Sequence, residues 1–207
     1  MLIPLLNFSM LFISGTLFAG FYIPSLMPAK LAEQYGPKAW KLCDRLRTIG
    51  TIFMVIQLLT MILWLWFPIP QLAWPIFFNP WIGYTIGLLI FFITLPIVYK
   101  GLKESGSEAK TPSTETKMFG GIYNCIRHPQ TLGEMSWYFV TVFVVNSLFL
   151  LLYAFIFILI YLPIMITVEE KDLIRRFGDE YRQYQQRTGA LLPKLRKRHD
   201  SNLTEAD

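Results

Sequence analysis

Apolar and polar residues fall into long separate blocks along this chain rather than alternating. Ile3 to Met27 runs for 25 residues without a charge, and Ile49 to Ile69 and Trp81 to Tyr99 are each close to one bilayer crossing, which takes roughly 20 residues of helix. Thr131 to Val168 is 38 residues long, too long for one crossing and about right for two. The polar pair Asn146-Ser147 near its middle suits a tight turn between antiparallel helices. The pattern predicts an all-α integral membrane protein with five transmembrane helices, the last two forming a hairpin.

The segments between these blocks have their own patterns. Pro28 to Gly50 mixes Leu31, Tyr35, Trp40, Leu42 and Leu46 with five basic residues, as expected of an amphipathic connector lying at a membrane interface. The proline-rich Phe67 to Pro80 loop suits an external turn. Gly83 and Gly87 form a small-xxx-small motif, predicted to pack against another helix of the same chain. Gly101 to Phe119 is the one soluble-looking stretch between spans; it is either a flexible linker or a segment that closes over a bound cofactor. Beyond the last span, Gly178 reads as a helix cap and Asp179 as the start of a short helix to Arg187, with Tyr181 and Tyr184 on one face. Residues 1–99 thus hold three transmembrane helices and a connector. Residues 100–207 hold the linker, the hairpin and a basic tail, within one structural unit.

Composition and charge agree with this layout. The chain is 54% apolar and 16% charged, too apolar for a soluble domain of this size. All 19 Lys and Arg residues lie in Lys30 to Arg47, Lys100 to Arg127 and Lys171 to Arg198. By the positive-inside rule the N-terminus is outside and the C-terminus cytosolic, as an odd number of spans requires. A signal peptide is disfavoured, because the first stretch lacks a basic flank and is longer than the usual apolar core. The net charge of +5 sits beside membrane ends and points to anionic headgroups, not nucleic acid. Cys43 and Cys125 both fall in cytosolic segments, so no disulfide is expected. Short loops and small size point to a prokaryotic plasma membrane.

Chemistry concentrates in two places. Gly120 to Glu134 sets Arg127, His128 and Glu134 at the mouth of the long apolar run, and Glu169-Glu170 closes its far end. A hairpin returns both clusters to the same membrane face. Charge placed against a bilayer is costly and usually functional. Gly120, Gly121 and Gly133 allow close backbone approach, and Pro129 sets a helix start whose amides favour an anion. Glu169 suits a cationic or hydroxyl partner. Such a site fits a zwitterionic or nucleoside-containing cofactor from the cytosol and a lipophilic acceptor from the membrane. A lone His is too little for a metal. The plainer readings are that His128 caps a helix, that Glu169-Glu170 is a solvated helix end, and that Glu134 snorkels to the surface.

Gly121-Ile122-Tyr123, Arg127-His128-Pro129, Gly133, Glu169-Glu170, Phe177 to Tyr181, Tyr184 and the Thr188-Gly189 to Pro193 tail together resemble the isoprenylcysteine carboxyl methyltransferase family, itself similar to the phospholipid N-methyltransferases. The resemblance covers roughly residues 115 to 194. It implies S-adenosylmethionine as methyl donor, contacted by Glu115, Thr116, Lys117, Met118, Tyr123, His128, Pro129, Gln130, Thr131 and Glu169, and a lipophilic or lipidated acceptor. Two positions depart from the family: Thr131 stands where Tyr is usual. Met165 stands at the substrate-binding position where carboxyl-methylating members carry Arg. That change leaves a neutral amine, a thiol or another lipid nucleophile as the acceptor. Glu134, from its depth alone, is the candidate proton acceptor. The alternatives are an NADPH-dependent enzyme similar to membrane sterol reductases, and a non-catalytic membrane protein on the same scaffold.

Overall fold

The computed structural model describes residues 2–106 and 120–194. Those residues form six α-helices: α1 (Leu2–Ser25), α2 (Pro28–Tyr35), α3 (Lys38–Leu63), α4 (Pro80–Ser105), α5 (Pro129–Val145) and α6 (Leu148–Arg187). Four of them, α1, α3, α4 and α6, are long and apolar enough to cross a bilayer. Many of their large apolar side chains point outward, among them Leu88, Leu89, Phe92, Ile93, Leu159 and Ile160. So much exposed apolar surface is tolerable only against lipid. The chain is a multi-pass membrane protein.

Local chemistry sets the helix ends. Proline occupies the first turn of α2, α4 and α5, where its missing N–H costs nothing. Asn79 caps α4 by accepting from the Trp81 N–H, and Ser147 caps α6 by accepting from the Leu150 N–H. Asn146 ends α5 in the left-handed region, at φ 55°, a conformation that asparagine tolerates better than most residues. The expected Asn146-Ser147 turn is therefore present. The Asn146 side chain also exchanges hydrogen bonds of 3.0 and 2.9 Å with the backbone of Phe77, tying the turn to the Phe67–Pro80 loop.

The helices pack in two pairs, α1 with α3 and α4 with α5, and α6 lies between them. Leu11, Phe18, Met61, Tyr138, Val142 and Leu150 form the centre of the core. A buried polar node crosses it: Gln57 donates to the Tyr153 hydroxyl and accepts from the Tyr138 hydroxyl, both at 2.7 Å. It ties α3, α5 and α6 together, with every member bonded, as apolar surroundings require. Gly83 and Gly87 face the α5 backbone at Phe143 and Val140, so the small-residue motif packs within the chain as expected.

One boundary differs from the expected ones: the basic second half of the Pro28–Gly50 connector is the start of α3, which begins at Lys38. The backbone leaves the helical region at Gly178, where φ is 57°, so the expected break there and the short helix from Asp179 to Arg187 beyond it are both present, joined to the body of α6 at a kink. Cys43 and Cys125 are free thiols.

Candidate active site

The site begins at the C-terminal end of α4. Gly121 has φ +54°, and the Glu104 carboxylate lies where a Cβ would be. Glu104 accepts the Ile122 N–H. These contacts hold the 3-10 turn Gly121–Asn124 against α4. Gln130 donates to Ser105 Oγ at 2.6 Å, and the Tyr123 carbonyl accepts the Tyr184 hydroxyl at 2.5 Å. The tail pairs alongside: the Arg127 and His128 N–H groups donate to the Gly189 and Ala190 carbonyls at 2.9 and 3.0 Å. The tail thereby fixes His128 at the cap of α5.

The His128 ring is buried between two carboxylates, with Nδ1 3.1 Å from Glu169 and Nε2 3.0 Å from Glu170. Burial alone would depress its pKa, but the charges and hydrogen bonds of Glu169 and Glu170 outweigh it and raise the pKa to about 9. The ring is therefore an imidazolium at neutral pH. Arg127 Nε bonds Glu170 at 2.7 Å, and its guanidinium also donates to the Gln185 and Thr188 carbonyls. Gln185 donates to the second oxygen of Glu170 at 2.7 Å. Two cations face two anions, so the charge is balanced where desolvation is costly. His128 and Glu169-Glu170 are thus joined in one knot, not a simple cap and a solvated end.

This knot opens onto a cavity of about 40 Å³. Of the expected site residues, Tyr123, His128, Pro129, Gln130, Thr131 and Glu169 all line it. Glu134 lies deeper along α5 and Met165 lies on α6, and both also reach its wall. Burial pushes the Tyr123 phenol up to about 12, which keeps it a neutral donor. Glu115, Thr116, Lys117 and Met118 lie outside the described residues. Two of the three glycines expected to admit a ligand serve packing instead: a Cβ on Gly133 would meet Val98 and one on Gly121 would meet Glu104, while Gly120 faces open space.

Tyr22 of α1, Leu26 in the turn after it and Arg47 of α3 complete the wall, and the sequence reading missed all three. A signal was available for Arg47, the last charge before the Ile49–Ile69 apolar run. Asp172 was missed too; it accepts the Ala29 and Lys30 N–H groups at 3.2 and 2.9 Å, docking α2 onto α6 beside the site.

The donor set fits S-adenosylmethionine in charge. Glu169, which lines the cavity, matches a cationic group or hydroxyl, and the first-turn amides of α5 match its carboxylate. The cavity volume matches only a part of it, because ligand pockets usually run to about 300–1,000 Å³. Among the described residues, no group of three His, Cys, Asp or Glu is placed to hold a metal.

Residues 81–180, from the start of α4 to just past the Gly178 bend, match the model of the phospholipid methyltransferase family. The chain is also 32% identical over 162 residues to methanethiol S-methyltransferase 1 of Bradyrhizobium diazoefficiens, covering 71% of this chain and 54% of that protein. It is 29% identical over 151 residues to the methanethiol S-methyltransferase of Pseudomonas deceptionensis, covering 67% and 56%. Methanethiol S-methyltransferase 2 of the same Bradyrhizobium is 28% identical over 163 residues, covering 69% and 59%. The chain therefore spans a little over half the length of these relatives. No solved structure matches it.

Proposed function

We propose that this protein is a membrane-embedded, S-adenosylmethionine-dependent S-methyltransferase whose acceptor is a small thiol such as methanethiol. The observation that carries the reading is one cavity in which the His128–Glu169–Glu170 knot and the deeper carboxylate Glu134 share a wall with the apolar Met165. The bound donor supplies an activated sulfonium methyl. The chain's task is then to position, desolvate and deprotonate the acceptor. Glu169, His128 and the amides from Gln130 onward hold the donor at the cytosolic mouth. Glu134 takes the thiol proton, because the thiolate is the nucleophile.

Five crossings, with the N-terminus outside, complete the reading and place the cavity on the cytosolic side. The relatives are named for methanethiol, which carries no lipid. A lipidated acceptor would need a path for its chain, and the apolar groove between α1 and α6 stops at Ala19 and Ile160, about one turn short of Tyr22 and Met165. The small acceptor is therefore preferred. The family match favours methyl transfer over the NADPH-dependent and non-catalytic alternatives.

Titration of detergent-purified protein with S-adenosylhomocysteine by calorimetry tests the donor half. Binding is expected for wild type and lost in His128→Ala and Glu169→Ala, and headspace detection of dimethyl sulfide from methanethiol tests the acceptor half. A folded wild type that binds no S-adenosylhomocysteine would overturn the reading.

A further inference from the structure

Two arginines border the cavity from opposite halves of the molecule. Arg127 is committed to the Glu170 carboxylate and to the carbonyls of Gln185 and Thr188. Together with the His128 imidazolium it balances Glu169 and Glu170. Arg47 lines the cavity from α3, on the wall built with Tyr22 of α1 and Leu26 just after it, and its charge acts on both Glu134 and Glu169. The α6 position on this wall is the apolar Met165, which is almost fully buried. A thiol that gives its proton to Glu134 leaves a negative sulfur among Met165, Leu26 and Tyr22. Burying that charge without a counter-charge costs several kcal/mol. Arginine stays charged at any pH the protein meets, and its guanidinium sheds water more readily than an ammonium.

We propose that Arg47 is the acceptor-binding residue that holds the ionised sulfur, so that Glu134 and Arg47 act as a proton-accepting and anion-holding pair. The inference rests on the thiol methyltransferase reading above. In the step it describes, the S–H proton passes to the Glu134 carboxylate and a sulfur lone pair forms the new S–CH3 bond. The donor's C–S bond breaks as this forms, its electron pair staying on the departing thioether, and Glu134 later returns its proton to the cytosol. The negative charge exists only between proton loss and methyl gain. A cation placed there therefore acts on the transition state more than on the neutral thiol.

The test compares methanethiol, mostly protonated at neutral pH, with 4-nitrothiophenol, which is largely ionised there and whose thiolate is coloured. Arg47→Gln is expected to lower kcat/KM for methanethiol by about 100-fold. The same change is expected to cost 4-nitrothiophenol about tenfold, less than methanethiol because its charge is spread onto the nitro group, and to leave S-adenosylhomocysteine binding within about threefold. Arg47→Lys should recover part of the methanethiol activity. A readout independent of turnover is the colour of 4-nitrothiophenol bound to protein saturated with S-adenosylhomocysteine. On wild type it should persist about one pH unit below its free titration, a tenfold shift in ionisation, and on Arg47→Gln it should not. If Arg47→Gln fails to fold, the wild-type titration alone decides: colour lost at the same pH as in buffer overturns the proposal. An Arg47→Gln variant that keeps wild-type kcat/KM on both thiols would remove Arg47 alone. Wild type that binds S-adenosylhomocysteine yet methylates neither thiol would remove the thiol reading and Arg47 with it.

Discussion

His128 meets a carboxylate through each ring nitrogen, so its proton is part of what joins the cap of α5 to α6. Its folded pKa of about 9 lies above the ordinary value of 6.5. The stabilisation from this proton is therefore complete below about pH 6.5 and disappears as pH rises through about 9. The two values differ by an amount worth on the order of 3 kcal/mol. Thermal unfolding of wild type between pH 6 and pH 10 should show a falling midpoint across that window. His128→Gln should start lower and stay flat there, and a parallel fall in both would show that other groups carry the dependence. At this scale the sequence was informative where its motif was dense. Tyr123, His128 to Thr131 and Glu169 all reach one cavity because a short turn and a hairpin bring them there. Tyr22 was not legible, because it sits on a helix whose own pattern reports only burial in lipid; Arg47 stood out only as the last charge before an apolar run, and both reach the site through tertiary packing.

Between helices, the closeness of α4 and α5 depends on residues without side chains. A Cβ on Gly83 would lie 2.4 Å from the Phe143 carbonyl oxygen, a backbone atom that cannot move aside, whereas one on Gly20 in α1 would meet nothing within 4 Å. Gly83→Ala should therefore destabilise the protein by about 1–3 kcal/mol through overpacking. Gly20→Ala should be neutral or slightly stabilising, since alanine is the better helix former. Thermal midpoints of the two variants in one detergent check this, and equal midpoints would mean that α4 and α5 are not held this tightly. Element ends were less legible than element positions. Charges such as Lys38, Lys41 and Lys171 mark where the bilayer stops, but a helix propagates through them as long as no backbone break intervenes. Hence α3 starts at Lys38, and α6 runs unbroken past Lys171 as far as the break at Gly178, where the short helix to Arg187 begins.

The number of crossings is a property of the whole molecule, because α5 alone is ambiguous. Its 17 residues rise about 25 Å, short of a hydrocarbon core of about 30 Å. Its ends, however, are tied to opposite faces. At one end Asn146 and Leu148 hydrogen-bond the loop at Trp74, Ile76 and Phe77. The same face holds the N-terminal end of α1, where Asn7 donates to the Thr60 carbonyl near the end of α3. At its other end, Gln130 reaches Ser105 at the finish of α4, and His128 pairs with the tail. On that face Asp172 also holds α2. If α4 crosses the bilayer, α5 must return across it, as the five crossings proposed above require. In that proposed orientation the tail face, beside which Lys30, Arg127 and Lys171 lie in the sequence, is the cytosolic one by the positive-inside rule. An impermeant maleimide should therefore label Phe78→Cys, a fully exposed loop position, in intact cells. The exposed native Cys125 should react only after permeabilisation, and the buried Cys43 should stay silent throughout. Labelling of Cys125 in intact cells, with Phe78→Cys protected, would invert the protein and put the His128 knot on the outer face, where a cytosolic methyl donor does not reach it.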